Sequence, residues 1–147
     1  MSISDSPSLI IQKYTIAQSL FTLPSESDTW PVYVSHLPDG ENVEDNAAGI
    51  FDDAPNIDGR VMQGEVIQHY GISIILRALD YETGYLKLKS ILTDFSDVQK
   101  ATVTVGSNSY YIWAISKFSG IIFLGTEQGT KRRYKFELKC NVTIEEI

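Results

Sequence analysis

Between Arg133 and Ile144 the chain alternates without a break. Tyr134, Phe136, Leu138, Cys140, Val142 and Ile144 are apolar, and Arg133, Lys135, Glu137, Lys139, Asn141 and Thr143 lie between them. Successive side chains of an extended strand point to opposite faces, so this period of two defines a β-strand with one face on a core and one face wet. The segment Ile72–Leu79 has a different pattern. Ile72, Ile74 and Leu76 face one way while Ile75 and Leu79 face the other, which is the signature of a central strand covered on both sides.

Helix signals frame these strands. Ser6-Pro7 sets an N-cap serine before a proline at the first helical position, and Ile10, Tyr14, Ala17 and Phe21 follow at helical spacing. The expectation is a helix over about residues 7–20, ended by Pro24. A second helix is expected to begin around Asp80 and to run over about residues 83–96, with Tyr85, Leu88, Leu92 and Phe95 on its apolar stripe. Further short strands are expected at Trp30–Ser35, where Pro31 points to a sheet edge, at Ala48–Phe51, and at Gly120–Gly125. The stretch from Val61 to Leu79 reads as strand-rich with a break near His69-Tyr70-Gly71. Thr102–Val105 and Tyr110–Trp113 flank Gly106-Ser107-Asn108 as a hairpin. Together these elements predict an α+β fold: a mixed, mostly antiparallel sheet with an N-terminal helix and a second helix packed on it. At 147 residues the chain suits a single domain.

Charge is unevenly distributed. Residues 1–74 hold 2 basic and 11 acidic side chains, residues 75–147 hold 10 and 8, and the total is −7. Asp39, Glu41, Glu44, Asp45, Asp52, Asp53 and Asp58 fall in a stretch free of Lys and Arg, read as a long acidic loop at about 37–58 that self-repulsion keeps extended until a basic partner orders it. The split suggests an acidic face and a mildly basic face that could meet on neighbouring copies. It argues against a protein that grips nucleic-acid phosphates. No apolar run approaches the roughly 20 residues of a membrane helix, and an N-terminus carrying Asp5 without a basic leader argues against a signal peptide. Cys140 is the only cysteine, so no internal disulfide is possible.

Catalytic and metal motifs are scarce. Phosphate-binding loops, zinc-protease helices, nucleophile elbows and paired cysteines are missing from the sequence. His36 and His69 stand alone, and a buried, inert Cys140 fits its place on the apolar face of the last strand. The stretch from Ala54 to Glu65 places Asn56, Asp58, Gly59 and Glu65 at calcium-loop positions, but the first ligand position is Ala54 and a strand rather than a helix follows. Asp58 and Glu65 as an acid–base pair lack any partner pattern and read as solvated turn residues. Trp30, Tyr33, Tyr110, Tyr111 and Trp113 read as core or sheet-face aromatics, since basic residues do not interleave with them. Lys131-Arg132-Arg133 is either a solvated flank of the last strand or a basic contact patch.

An ordered set of residues carries a resemblance. Asp58-Gly59-Arg60-x-Met62-x-Gly64-Glu65, His69-x-Gly71-Ile72 and Arg77-x-x-Asp80-Tyr81-x-x-Gly84-Tyr85, followed by the Gly125–Arg133 stretch GTEQGTKRR, resemble the minor capsid and tail-terminator (tail completion) proteins of long-tailed bacteriophages. The chain departs from the family at Ser73 and Ile75, where polar or basic residues are common, which favours burial of that strand here. The resemblance implies a non-enzymatic virion protein without cofactor or metal. Its subunits would form a hexameric ring that caps the head-proximal end of the tail tube, ends tube polymerisation and joins tail to neck. The implied partners are further copies of the chain, the tail-tube protein and a neck or head-completion protein, with DNA passing through unbound. Asp52, Asp53, Asp58, Arg60, Glu65, Arg77, Lys131, Arg132 and Arg133 are the candidate interface residues. Arg60 and Arg77 suit bidentate pairs to carboxylates within or between subunits, and an internal salt bridge is the competing reading of Arg77. Another neck connector, a tail-tube subunit, or a small enzyme or host-directed binding protein are the other classes.

Overall fold

A computed structural model of the chain describes residues 3–22, 30–40, 43–53, 68–127 and 132–147. The candidates Asp58, Arg60, Glu65 and Lys131 lie outside these residues, as do the calcium-like stretch and the whole first resembling motif. The described elements are α1 (Pro7–Ala17), β1 (Val32–Val34), β2 (Ala47–Asp53), β3 (Gln68–Ala78), α2 (Tyr81–Ser96), β4 (Ala101–Val105), β5 (Asn108–Ser116), β6 (Ile122–Thr126) and β7 (Tyr134–Glu146). The strands form one sheet in the order β1-β2-β3-β7-β5-β4, with β6 pairing to β7 beside β5. Only β1 and β2 run parallel; the other pairs are antiparallel. The result is the α+β unit that the sequence predicts, with one core.

The alternating strand, β7, is the spine of the sheet. It pairs with β3 from Tyr134 to Ile144, with β5 over its second half and with β6 over its first. Phe136, Leu138, Val142 and Ile144 are fully buried, together with Ile72, Ile74, Leu76 and Ala78 of β3. The same core holds Ile10, Ile11 and Tyr14 of α1 and Leu88, Ile91 and Phe95 of α2. The opposite face is not simply wet: Asn141 of β7, Arg133 just before it, and Ser73 and Arg77 of β3 are buried too. A bulge at Trp113 shifts the register of β5, so that Ile112 before it and Ile115 after it both reach the core. In the β4–β5 turn only Gly106 takes a positive φ, +59°, the mark of a type II′ hairpin.

Local signals place the helices well at their starts. Ser6 Oγ accepts from Leu9 N at 3.3 Å, and Asp80 Oδ2 accepts from Thr83 N at 3.1 Å. The ends are less legible. α1 stops at Ala17, short of residue 20, because Ser19 adopts φ +60° and the amides of Leu20 and Ser19 turn back to Thr15 O and Ile16 O. This is a Schellman stop made by serine where glycine is usual. The expected stop, Pro24, lies outside the described residues.

Three other expectations change. β2 occupies Ala47–Asp53, so the acidic stretch is a shorter loop followed by a full strand. β3 runs through His69-Tyr70-Gly71 without a break. The buried stripe of α2 is Gly84, Leu88, Ile91 and Phe95, which leaves Tyr85 39% exposed, and Leu79 lies beyond β3 at 51%.

Gly84 sets how closely α2 approaches the sheet. A Cβ there would come within 2.8 Å of both Ala78 Cβ and Phe136 Cε2. Gly84→Ala therefore trades about 1 kcal/mol of helix propensity against an overpacking penalty of about 1–3 kcal/mol. We expect a net loss of stability, read as a lower urea midpoint; an unchanged or raised midpoint would show that the contact has slack.

The N-terminal arm is tied to the far end of the sheet, where Asp5 accepts from Asn108 Nδ2 at 3.1 Å and from the Tyr110 hydroxyl. Burial, reinforced by the bond to Asp5, pushes the Tyr110 hydroxyl up to about 12, and burial does the same to the Cys140 thiol. A pKa raised by folding contributes stability that is complete below the unfolded value and disappears as pH climbs to the folded one. Urea midpoints should hold up to about pH 9 and fall from there to about pH 12, with a shallower fall in Tyr110→Phe above about pH 10. Identical slopes in the two proteins would contradict this assignment.

Candidate subunit interface

β3 ends, β7 begins and β2 begins at the same end of the sheet, which brings Arg77, Arg133 and the 36–46 connection together. Arg77 is the largest fully buried side chain, at 0% exposure, and Arg133 is at 2%. The Arg77 guanidinium does not form a bidentate carboxylate pair. It donates to backbone carbonyls: Nη1 to Pro38 O, Nη2 to Glu44 O, and Nε to Asp45 O at 3.4 Å. Arg133 completes the arrangement. Its Nη1 donates to Gly40 O at 2.9 Å, its Nη2 to Val43 O at 3.3 Å and its Nε to Asp45 Oδ1 at 3.1 Å. Two guanidiniums thus hold the described parts of the 38–45 stretch by its carbonyls.

Two buried cations repel each other unless anions offset them. Glu127, whose side chain is 14% exposed, lies 3.9 Å from Arg77, 3.7 Å from Arg133 and 3.7 Å from Lys135. Its Oε1 makes no hydrogen bond to either guanidinium, so the attraction acts through space. Asp39 adds ion pairs to Arg77 at 3.9 Å and Lys135 at 3.6 Å. Burial lowers the Arg77 pKa, Glu127 opposes that shift and nearby Arg133 adds to it.

Asp52 and Asp53 are also engaged within the chain. Asp52 sits over the first turn of α1, accepting from Ser8 N at 2.9 Å and Ser8 Oγ at 3.1 Å, where the helix dipole favours an anion. Asp53 pairs with Lys139 at 3.7 Å. Arg132, like Asp52 and Asp53, is exposed. Arg77 and Arg133 are thus buried and engaged within the chain. Several acidic side chains of the first half, Asp39, Asp45 and Asp53, pair with basic side chains of the second. The basic partner that orders the acidic loop belongs to the same chain.

An apolar surface lies beside this cluster. Leu79, Tyr81, Tyr85 and Leu86 at the start of α2, and Ile122, Phe123 and Leu124 of β6, are 39–53% exposed. Tyr81 joins the two groups, with its ring 5.3 Å from Phe123 and 5.2 Å from Phe136 between centroids; Tyr134 stands edge-on to it at 5.8 Å. Soluble monomers rarely expose contiguous apolar patches of more than a few hundred Å², and larger ones usually mark interfaces. Opposite β7, the outer edge of β6 pairs with no strand among the described residues. Sequence reasoning put Leu79 and Tyr85 in the core and missed this surface. The available signal was Ile121–Leu124, four apolar residues with no polar alternation.

His36 hydrogen-bonds Val34 O at 3.1 Å, while His69 hydrogen-bonds Thr143 Oγ1 at 2.9 Å on a different strand. No group of three or more His, Cys, Asp or Glu among the described residues is placed to hold a metal ion. No helix among them is long and apolar enough to cross a membrane.

Replacing Arg77 by Lys keeps the charge and loses the fork that reaches three carbonyls. Arg77→Lys should lower stability by about 2–4 kcal/mol in urea titrations and speed hydrogen exchange at Glu44 to Ala47. A loss below about 0.5 kcal/mol would mean that the arginine does not organise this end. No protein-family model matches the chain, and no curated protein matches its sequence.

Proposed function

We propose that this chain is a structural subunit of the long-tailed phage particle: a ring-forming tail terminator that caps the head-proximal end of the tail tube, ends its polymerisation and joins it to the neck. The observation that carries this reading concerns the Arg77–Tyr85 part of the resembling set. Arg77 anchors the acidic loop, Asp80 caps α2, Gly84 lets α2 seat on the sheet, and Tyr81 lies at the centre of the exposed apolar surface. In this reading, the residues behind the resemblance build and present a docking surface for assembly.

In this reading, copies of the chain form a hexameric ring, and the surface at the head of α2 and β6 receives the tail-tube protein or the neck protein. Half-exposed Leu, Phe and Tyr side chains each contribute about 1 kcal/mol on burial, so a handful of them suffices for a specific assembly contact. A net charge of −7 suits a ring through which DNA passes without adhering, since phosphates are repelled. The finished protein resides in the virion, at the tail–neck junction, after assembly in the host cytoplasm.

Phage assembled without this protein tests the proposal. Overlong tails detached from heads are the expected result under the electron microscope. Tails of normal length would remove the terminator role.

A further inference from the structure

Two neighbouring side chains are short of hydrogen-bond acceptors. Lys87 projects from α2 with its Nζ 5.4 Å from the ring centroids of both Phe21 and Trp30. It is partly buried, and no carboxylate or carbonyl among the described residues pairs with its ammonium. Burial with no acid beside it lowers the Lys87 pKa. Trp30 Nε1 is buried and has no hydrogen-bond partner. Buried donors are nearly always paired, so two unpaired donors on touching side chains require an explanation.

Both side chains line a cavity of about 340 Å³ between the end of α1, the start of β1 and the first half of α2. Leu20 and the fully buried Phe21 give it apolar walls. None of the described residues around it is acidic. Asn46 also lines it; its Oδ1 accepts from Leu79 N at 3.0 Å, which leaves the amide nitrogen as a further donor. Backbone bonds hold the aromatic walls in place: Thr22 N donates to Trp30 O and Val32 N to Thr22 O, each at 3.0 Å. The cavity is therefore formed before any ligand arrives.

We infer that this cavity binds a small organic carboxylate, whose charged end meets the Lys87 ammonium and whose apolar body lies among Leu20, Phe21 and Trp30. A monoanion matches the single cation, whereas a phosphate dianion would leave charge unoffset against two aromatic rings. A carboxylate brings two acceptor oxygens to a cavity short of acceptors. The volume lies at the lower end of ligand-sized cavities, which limits the body to about one ring.

Phenylacetate is the probe, and phenylacetamide is its neutral isostere. The chain has two tryptophans, and the Trp113 indole donates to Glu145 Oε1 at 3.0 Å, so it serves as an internal reference. In proton–nitrogen correlation spectra of the free chain, phenylacetate should move the Trp30 indole signal, half-saturating near about 1 mM, and leave Trp113 in place. Trp113→Phe assigns the two signals. Phenylacetamide should bind at least tenfold more weakly. Lys87→Met keeps the alkyl stem and should weaken phenylacetate at least tenfold with an unchanged circular dichroism spectrum; if this variant does not fold, the amide comparison on the wild type decides. A Trp30 signal that stays put at about 20 mM phenylacetate, or equal binding of acid and amide, overturns the inference. Binding that appears only after Glu26→Gln and Asp28→Asn would show that the chain's own carboxylates hold the ammonium, and overturns it as well. Each of these results is read on the free chain and leaves the terminator proposal standing.

Discussion

The architecture turns on the burial of Arg77. A guanidinium with no exposure is tolerated only when its donors find acceptors and its charge finds an anion, because water contributes neither. Here the acceptors are carbonyls of the 38–45 stretch, and the anions are Glu127 at the end of β6 and Asp39 in the loop. Arg133 repeats the arrangement one strand away. Satisfying two cations thus fixes three separate parts of the chain at one end of the sheet. Asn46, at the edge of that loop, accepts from Leu79 N at 3.0 Å and so ties the start of α2 to the same cluster.

This arrangement shifts the surface that matters. The described part of the acidic loop pairs with Arg77, Arg133 and Lys135 of the same chain. What the cluster leaves exposed beside it is apolar: the first turns of α2 and both faces of β6. A strand that is apolar on both faces is normally covered on both, yet β6 sits at an edge. In the proposed assembly, its remaining cover is supplied by another molecule.

The fold was legible wherever a signal was local. The alternation of β7, the serine and aspartate caps of the two helices, Pro31 beside an edge strand and the Gly106 turn each act within a few residues, and each is where its chemistry puts it. Failures arose where distant segments decide the outcome. Ser19 ends α1 because residues beyond it pack back on the sheet, and β2 extends through Asp52 and Asp53 because Ser8 and Lys139 receive their carboxylates. Arg77 reads as a surface charge until the carbonyls around it are known, since no local pattern reports a buried arginine. Tyr85 and Leu92 fit an apolar stripe, but the closest approach to the sheet falls on Gly84, which rotates the buried face towards Ile91. The candidate interface was the least legible part, because exposure is a property of the assembled sheet.

The account is tested most directly by comparing hydrogen exchange of the assembled particle with that of the free chain, diluted until it no longer self-associates. Protection on assembly should concentrate in residues 79–86 and 122–126. Unchanged exchange in both segments, with protection confined to the β1 or β4 edges, would contradict it.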